Sequence, residues 1–550
     1  MRAKPSRSAL RAEPPRSPVR AKPSRSALRA LAAVVALASV ACGGPAREPR
    51  ALRLALNGEA HSLLPLLAQS IADNELLRLI YDPLIACDGA GRPIPALAAA
   101  VPTRANGGIS PDGRTITYRL RRGVRWHDGV PFTSEDVAAS FRAVMDPRSV
   151  VQTRHGYDAV ARVETPGPYT VRFRLKRAFA PFVGTVFAES DEPYYVAPAH
   201  LLRGASLARS SLNAQPVGTG PFRFVRWVRG DRVELAANAV YWNGAPHVAR
   251  IVVRFIGDEN TELVALRSGE LDGSLTISAN AAAQARTIPH VRIATAPLNA
   301  YWGVIMNDQP GRATHDARVR RAIALALDAR SFRADVTHGF YAPAIADLPR
   351  AMWAADPSLA PLPHDPAQAR RLLAAAGYGP GHPLALDFAI LQSSQTHRVE
   401  AVAAQSELRA VGIDARVHAY LGNVFDEPAA LGGILPGGRY DIALYGWYAG
   451  MDPDDSGQFT CDQRPPAGYD HSFYCSAAMD AAQRDALRSY DETTRKRAYA
   501  RIERLLLRDV PIAFLASPVA ISALRDDVRG FAPSLVTQSA NAQRWVVKGG

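Results

Sequence analysis

The chain has 550 residues, of which 47% are hydrophobic and 21% charged, and its formal net charge is +14. This length exceeds what one hydrophobic core supports, so two or three domains are expected. Residues 1–41 hold nine of the 65 Lys and Arg residues and a single acidic residue, so the basic charge is concentrated there. No compact basic stripe interleaved with aromatic residues follows, which argues against a nucleic-acid-binding function.

The N-terminal segment is typical of a secretory signal. Basic residues precede the apolar run Leu31–Ala41, which ends at Cys42. The run is too short to span a bilayer, and small residues follow it. We therefore predict a signal peptide over residues 1–42 and a polar linker over residues 43–50.

A basic repeat precedes this signal. Residues 2–12, RAKPSRSALRA, recur identically at 20–30 and carry no apolar periodicity. We expect the repeat to be disordered or absent from the mature protein. A translation start at Val19 is the alternative, because it would leave a signal of ordinary length.

Strand patterns appear early in the rest of the chain. The sequence ALRLAL at 51–56 predicts a first strand, followed by a loop over Asn57–Ser62. In Thr115–Leu120, apolar side chains alternate with polar ones, which is the period of a strand with one buried face. Residues Trp126–Gly129 predict a turn.

Helix signals follow. Thr133 and Asp136 stand three residues apart before an apolar stripe, a capping-box pattern. Residues 319–326 show apolar side chains at helical spacing. Asp365 precedes Pro366 and a stripe that stops at Gly377, so a further helix is expected there. Helices and strands alternate irregularly, which predicts an α/β protein with mixed sheets.

The chain contains four cysteines. Cys461 and Cys475 lie close together in a Pro-, Gly- and Asp-containing segment and predict a disulfide in an oxidising compartment. Asp462 and His471 in the same segment add metal-ligand types, but the paired spacing of a structural zinc site is missing, so we expect no metal. Cys87 is expected to be a buried free thiol.

A series of motifs in order resembles a known family. The most distinctive is SPDGRTITYRLRRGVRWHDGVPFTSEDV (110–137). The other motifs are IYDPLIACDGAGRPIPALA (80–98), VGTGPF (217–222), YWNG (241–244), SGELD (268–272), VRRA (319–322) and YDIA (440–443) with the following Gly446-Trp447. Together they resemble the family 5 extracellular solute-binding proteins, which include oligopeptide- and dipeptide-binding proteins of ABC importers. Ser39-Val40-Ala41-Cys42 similarly resembles a bacterial lipobox, with Ser39 where Leu is preferred. Lipidation of Cys42 is therefore expected, with plain secretion as the alternative.

The resemblance implies a periplasmic-binding-protein-like, type II two-lobed clamp with an inserted domain. The implied domain I is discontinuous and combines residues 51–72, 200–300 and 518–550. Domain II is the insertion 73–199, and domain III covers 301–517. Two crossings between the lobes would act as the hinge. The short Gly218–Gly220 turn is expected to form a tight bend at a hinge or strand end.

The resemblance also implies site residues. Trp447 and Tyr448 are expected in the wall of a ligand cleft, with interdomain packing as the alternative. The same two interpretations apply to Tyr301 and Trp302. Glu59 and Ala60 occupy the position of a ligand-contacting loop.

Family members use an Asp for the ligand ammonium, three residues after the Trp of the Gly-Trp motif. Gly450 stands at that place. Asp452 could replace the missing carboxylate if the loop is shifted. Alternatively, Asp452, Asp454 and Asp455 form a solvent-exposed turn and the ligand has no free amine at that end.

The expected function is capture of a peptide or peptide-like solute for ABC permease subunits by a monomeric, lipid-anchored protein. It is expected at the periplasm or cell surface, without a cofactor and without nucleic acid as a partner. A non-peptide cargo, such as a metal chelate, an opine or a sugar, is the main alternative. A surface enzyme or adhesion protein is more remote, because no nucleophile with a base is recognised.

Overall fold

The computed structural model describes residues 50–68, 70–190, 194–202, 206–392 and 394–548. Cys42, the predicted signal peptide and the linker up to residue 49 lie outside these residues. Among the helices within the described ranges, none is both long and apolar enough to cross a membrane.

The elements alternate irregularly along the chain. The strands are β1 (Leu52–Leu56), β2 (Ile85–Cys87), β3 (Pro93–Pro95), β4 (Thr115–Arg119), β5 (Val160–Gly167), β6 (Thr170–Leu175), β7 (Phe222–Val228), β8 (Arg232–Ala237), β9 (Arg250–Phe255), β10 (Gly273–Ser274), β11 (Val291–Pro297), β12 (Ala300–Met306), β13 (Leu384–Leu391), β14 (Ile413–Tyr420), β15 (Ile442–Tyr448), β16 (Ile512–Ala516), β17 (Val519–Arg525), β18 (Val528–Arg529) and β19 (Val546–Val547). The α-helices are α1 (Ile71–Ile80), α2 (Ser134–Met145), α3 (Phe182–Thr185), α4 (Ala199–Leu202), α5 (Glu259–Ser268), α6 (Ala279–Ala285), α7 (Ala317–Ala326), α8 (Ala329–Ser331), α9 (Pro366–Ala375), α10 (Gln395–Ala410), α11 (Gly422–Phe425), α12 (Ser456–Phe459), α13 (Ala477–Arg488) and α14 (Glu492–Asp509).

A seven-stranded mixed sheet has the order β11-β17-β10-β1-β9-β8-β7. Its central strand β1 runs parallel to both β9 and β10, and Leu52, Leu54 and Leu56 on it are at most 1% exposed. Alternate apolar side chains on one face of a strand bury together, so the LRLAL sequence suits this central position. The strands come from the three separate segments that the sequence assigns to domain I.

A five-stranded sheet has the order β14-β13-β15-β12-β16. β13 is parallel to β14 and β15, whereas β12 is antiparallel to β15 and β16. Side chains of α7, α9 and α10 join those of the sheet in one apolar core. These elements lie in the segment predicted as domain III, except that β12 begins one residue before it, at Ala300.

Residues 73–199 contribute a three-stranded sheet, β4-β6-β5, and the hairpin β2-β3. Helix α2 contacts β5 and β6 of this sheet. The three sheets therefore draw on separate parts of the chain that match the predicted division, while the domain boundaries themselves stay a prediction.

The local helix signals are confirmed. The backbone N–H of Thr133 donates to Asp136 Oδ2 over 2.7 Å at the start of α2. Asp365 accepts from the N–H of Gln368 over 2.8 Å and thereby caps α9. Gly377 ends that helix with φ of +93°, a conformation that costs glycine little.

Candidate functional site

Two short connections carry the chain between the two large sheets. β11 passes through Leu298 and Asn299 into β12, and β16 passes through Ser517 and Pro518 into β17. Asn299 donates from Nδ2 to the carbonyl of Gly450 over 2.8 Å, and its own carbonyl accepts from the N–H of Ala449 over 2.7 Å. The two crossings expected from the sequence are therefore present, and one of them holds the loop that follows β15.

Four predicted site residues meet beside these crossings. In the antiparallel pair of β12 and β15, Tyr301 lies opposite Trp447 and Trp302 lies opposite Gly446, while Tyr448 ends β15. Opposite residues share a face of a sheet and successive residues alternate. Tyr301 and Trp447 therefore lie on one face and Trp302 and Tyr448 on the other, so a ligand on one face would meet only one pair.

The face of Tyr301 is filled mainly by protein. Tyr301 is 1% exposed, its hydroxyl donates to Gln458 Oε1 over 2.5 Å, and its ring lies edge-on to Phe514 with centroids 5.1 Å apart. These contacts favour the packing interpretation for Tyr301. Trp447 is half-buried on the same face, with its ring centroid 5.4 Å from that of Tyr469. Its buried indole N–H has no acceptor among the described residues.

The other face is open at Tyr448. The Trp302 indole donates to Glu400 and lies over Gly446, where a Cβ would overlap its ring. Tyr448 is 44% exposed, yet burial among the surrounding atoms raises the pKa of its hydroxyl. Tyr448 is the exposed member of the four aromatic residues, so it is the strongest candidate for direct ligand contact.

Glu400 is a further residue of this face that the sequence analysis missed. It is 1% exposed, and burial raises the pKa of its carboxyl well above the ordinary value, although the Trp302 hydrogen bond acts in the opposite direction. Its Oε1 has no partner among the described residues. It lies within a helix, α10, and no motif marks it, so only the packing reveals it.

Asp452 has a partner within the protein. Arg495 on α14 donates to its two carboxylate oxygens over 2.6 and 2.9 Å, and the side chains of Arg495 and Asp452 are 9% and 12% exposed. A bidentate guanidinium occupies the oxygens that a ligand ammonium would need. The structure thus offers no free carboxylate at Asp452, and the role of ammonium anchor for this residue stays an untested prediction.

The alternative of a solvent-exposed turn is wrong for these aspartates. Asp454 lies 3.0 Å from His155 Nε2 with 5% of its side chain exposed, and Asp455 is 6% exposed and accepts from Gln483 over 2.7 Å. Both face protein, because the loop after β15 packs between His155 of the 73–199 segment and Gln483 on α13. Sequence alone suggested solvation, since three acids surround a proline there.

Glu59 and Ala60 do not join the aromatic group. Glu59 accepts from Trp227 Nε1 over 2.9 Å and from the N–H of Gly230 over 3.0 Å, at the β7–β8 hairpin. Ala60 is 3% exposed and belongs to the core. His61 lies on the surface, with 62% of its side chain exposed. Ligand contact by Glu59 and Ala60 stays a prediction.

Two of the family-like motifs meet at a buried aspartate instead of at the cleft. Asp82 accepts from Tyr241 Oη over 2.8 Å, from Trp242 Nε1 over 2.8 Å and from Thr219 Oγ1 over 3.1 Å, and it lies 3.3 Å from Arg78. These donors come from the YWNG and VGTGPF segments. These two motifs therefore have a structural role: their hydrogen bonds to Asp82 join the insertion to the segment that carries the seven-stranded sheet.

The Gly218–Gly220 turn belongs to the same group of contacts around Asp82, because it contains Thr219. The N–H of Gly220 donates to the Ile80 carbonyl over 2.8 Å, and a Cβ on either glycine would overlap the Ile80 backbone. His127 brackets the turn, since its Nε2 lies 3.0 Å from the Gly220 carbonyl. The turn immediately precedes β7, so its strand-end position is as predicted. The glycines are required by this close approach of two backbones.

The cysteines lie as follows. Cys461 and Cys475 are joined, with sulfur atoms 2.09 Å apart. Cys87 is a buried free thiol, but its surroundings include Glu189 Oε2 at 3.4 Å. Within the described ranges no group of His, Cys, Asp and Glu residues is arranged to hold a metal ion.

Comparison with known proteins gives the fold and the family. The chain is 24% identical to DppA of Helicobacter pylori, an ABC transporter-associated periplasmic binding protein solved with the peptide STSA, with a TM-score of 0.76 over 91% of this chain and 98% of that one. It is 24% identical to NikA of Brucella suis, solved with Fe(III)-EDTA, with a TM-score of 0.78 over 91% and 100% of the two chains. These likenesses confirm the predicted fold, the mixed α/β two-lobed fold of periplasmic binding proteins.

A curated relative covers most of the chain. The di/tripeptide-binding protein 2 of Pseudomonas aeruginosa is 30% identical over 480 residues, which span 82% of this chain and 86% of the relative. The family model described as "Bacterial extracellular solute-binding proteins, family 5 Middle" matches residues 92–465. This chain therefore belongs to the family 5 bacterial extracellular solute-binding proteins.

Proposed function

We propose that the protein captures oligopeptides or peptide-like solutes outside the cytoplasmic membrane and delivers them to an ABC importer. Membership of the family and the peptide-binding name of its curated relative support the class of cargo. One structural observation carries the proposal for this chain: Trp302, Trp447 and Tyr448 lie at the end of the five-stranded sheet that adjoins both crossings. Closure about the crossings would change the surroundings of these aromatic residues most.

The proposed contacts suit a peptide receptor. Tyr448 offers an accessible aromatic surface with little side-chain entropy to lose. The Trp447 indole N–H offers a donor for a peptide carbonyl, a group that every peptide shares. Capture needs no chemical step, and we propose that the protein is not an enzyme.

The first test uses a soluble form of the chain that begins at residue 43 and therefore lacks Cys42. Peptide pools are screened by thermal shift, and retained small molecules are identified by mass spectrometry. We expect stabilisation by peptides, and loss of at least about tenfold in affinity in Tyr448→Ala, with Tyr378→Ala as a control. No retained molecule and no stabilisation by any pool would contradict the proposal.

A second candidate is a cargo without a free ammonium group at the end near β15. It is favoured because Gly450 supplies no carboxylate and Arg495 engages that of Asp452. Gly450→Asp and Gly450→Asn form a matched pair that differs in charge. If a peptide amine lies there, Gly450→Asp should bind free peptides about tenfold more tightly than Gly450→Asn, and N-acetylated peptides equally. Equal binding of free and acetylated peptides by all three proteins would favour the second candidate.

We further propose that Cys42 carries a lipid anchor and that the mature protein acts as a monomer. The lipobox-like segment before Cys42 supports the anchor. Expression in bacteria with a radiolabelled fatty acid should label the chain, and Cys42→Ser should abolish the label while Cys87→Ser retains it. Labelling of Cys42→Ser would contradict the proposed lipid anchor and would leave the proposal on the cargo unchanged.

A further inference from the structure

A cavity lies away from the aromatic group. It has a volume of about 530 Å³ and is lined by α13, α14 and Arg104. Four of its lining residues are arginines, Arg104, Arg488, Arg497 and Arg501, whereas Asp485 is the acidic residue among them. The cavity spans two sequence segments, because Arg104 belongs to the predicted domain II and the other arginines to domain III.

The positive charge of this cavity is only partly offset. Arg501 pairs with Asp485 over 3.4 Å. Arg488 and Arg104 form no ion pair within 4.0 Å in the part of the chain that the structure describes, and Arg104 lies over the ring of Tyr490 at 5.5 Å. Arg497 makes a long hydrogen bond of 3.4 Å to Thr494.

A further acid that interacts with Arg497 and Arg104, Asp491, is already engaged. Asp491 accepts from the N–H and the hydroxyl of Thr494, both over 2.7 Å, and caps α14. Its charge moderates the field of Arg104 and Arg497, but its oxygens hold the start of the helix. Three guanidinium groups consequently face one cavity without a dedicated carboxylate.

We propose that this cavity is a binding site for an anion that carries phosphate groups. Guanidinium groups donate in a planar fork that matches phosphate oxygens, and several of them around one cavity favour a multiply charged anion. The hydroxyl of Thr494 adds a neutral donor to the lining. The volume exceeds that of a single phosphate, so the site accommodates a phosphate ester, from a soluble compound or from a lipid headgroup.

The test measures binding of inorganic pyrophosphate to the mature chain by calorimetry. We expect saturable binding that is weakened at least about tenfold in Arg488→Gln/Arg497→Gln and in Arg104→Gln. Arg484→Gln is the matched control, because Arg484 is an exposed arginine on the same helix α13 and does not line the cavity. Melting temperatures of all variants establish that each is folded, and sodium chloride at matched ionic strength separates specific binding from screening.

Two further arms identify the source of the phosphate. Vesicles of phosphatidylcholine and phosphatidic acid in equal amounts are compared with vesicles of phosphatidylcholine alone. Arginine-dependent binding of pyrophosphate supports a soluble ligand, and arginine-dependent binding confined to the acidic vesicles supports a lipid headgroup. Absence of saturable binding in both arms, or equal weakening by Arg484→Gln, overturns the proposal. The outcome of these experiments does not affect the proposal on peptide capture, because the cavity is lined by none of the aromatic residues proposed for that site.

Discussion

Asp452 and Arg495 form a buried ion pair that links the loop after β15 to α14. The Arg495 guanidinium also donates to Tyr499 Oη over 3.0 Å. Burial disfavours the charged guanidinium, but Asp452 and Tyr499 outweigh it and raise the pKa of Arg495. Removing one member of such a pair leaves the other buried without compensation.

Asp452→Ala should therefore act on stability. We expect a loss of about 3–5 kcal/mol in the free energy of unfolding, because Arg495 would remain buried and unpaired. Denaturant unfolding measures it, with Asp462→Ala as the control. Unchanged stability together with lost affinity for free peptides would instead identify Asp452 as the ammonium anchor.

Glu262 provides a pH-dependent contribution. It is 0% exposed, Ser274 donates to its Oε2 over 3.2 Å, and burial raises the pKa of its carboxyl to about 8. Below pH 4.5, the ordinary pKa of the group, both folded and unfolded states are protonated. Between that pH and about 8 the unfolded chain releases the proton while the folded chain keeps it, so stability falls as pH rises.

Glu262→Gln should remove this decrease in stability with rising pH. The variant should match the parent near pH 4 and exceed it by about 2–4 kcal/mol at pH 8. Melting temperatures across this range check the prediction, with the exposed Glu270→Gln as the control. A difference between variant and parent that is independent of pH would contradict it.

At the scale of elements, the chain is held together by close approaches that side-chain patterns do not reveal. The turn before β7 lies directly against the end of α1, with the N–H of Gly220 bonded to the Ile80 carbonyl. Gly446 on β15 similarly leaves room for the Trp302 indole on β12. Each approach exists because one element lacks a Cβ where the other passes.

Gly218→Ala tests the turn. The added Cβ would overlap the Ile80 carbonyl oxygen, and backbone can relieve this only by moving α1 or β7. We expect a destabilisation of at least about 2 kcal/mol in denaturant unfolding. Gly257→Ala is the control, because a Cβ there meets no atom within 4 Å. A loss of stability equal to that of Gly257→Ala would contradict the prediction, because it would show that α1 and β7 move apart at no cost.

At the scale of the whole molecule, several hydrogen bonds join the insertion to the C-terminal segment that carries α13 and α14. The Tyr490 hydroxyl lies 2.9 Å from the carbonyls of both Gly113 and Phe179, and the N–H of Ala180 donates to the Leu487 carbonyl over 2.7 Å. His155 and Asp454 add an ion pair when the histidine is charged. These contacts join the predicted domains II and III in the conformation described.

Tyr490→Phe should weaken this junction. One donated hydrogen bond contributes about 0.5–1.5 kcal/mol, so ligand affinity should fall by roughly twofold to tenfold if the junction forms on closure. Isothermal titration with a peptide that the parent protein binds measures this affinity. Tyr378→Phe is the control, because the ring of Tyr378 stacks on His382. Unchanged affinity with lowered stability would show that the junction persists in the open protein.

The sequence by itself determined the family, the fold class and the local starts and ends of helices, because caps, strand periods and ordered motifs act over a few residues. It also singled out Trp447, Tyr448, Tyr301 and Trp302, which the structure brings together on neighbouring strands. Only the tertiary structure decided which of them are accessible, since exposure depends on what packs against each face. It likewise assigned Arg495 to Asp452 and gathered four arginines around one cavity, because such partners lie far apart in the chain and only folding brings their charges together.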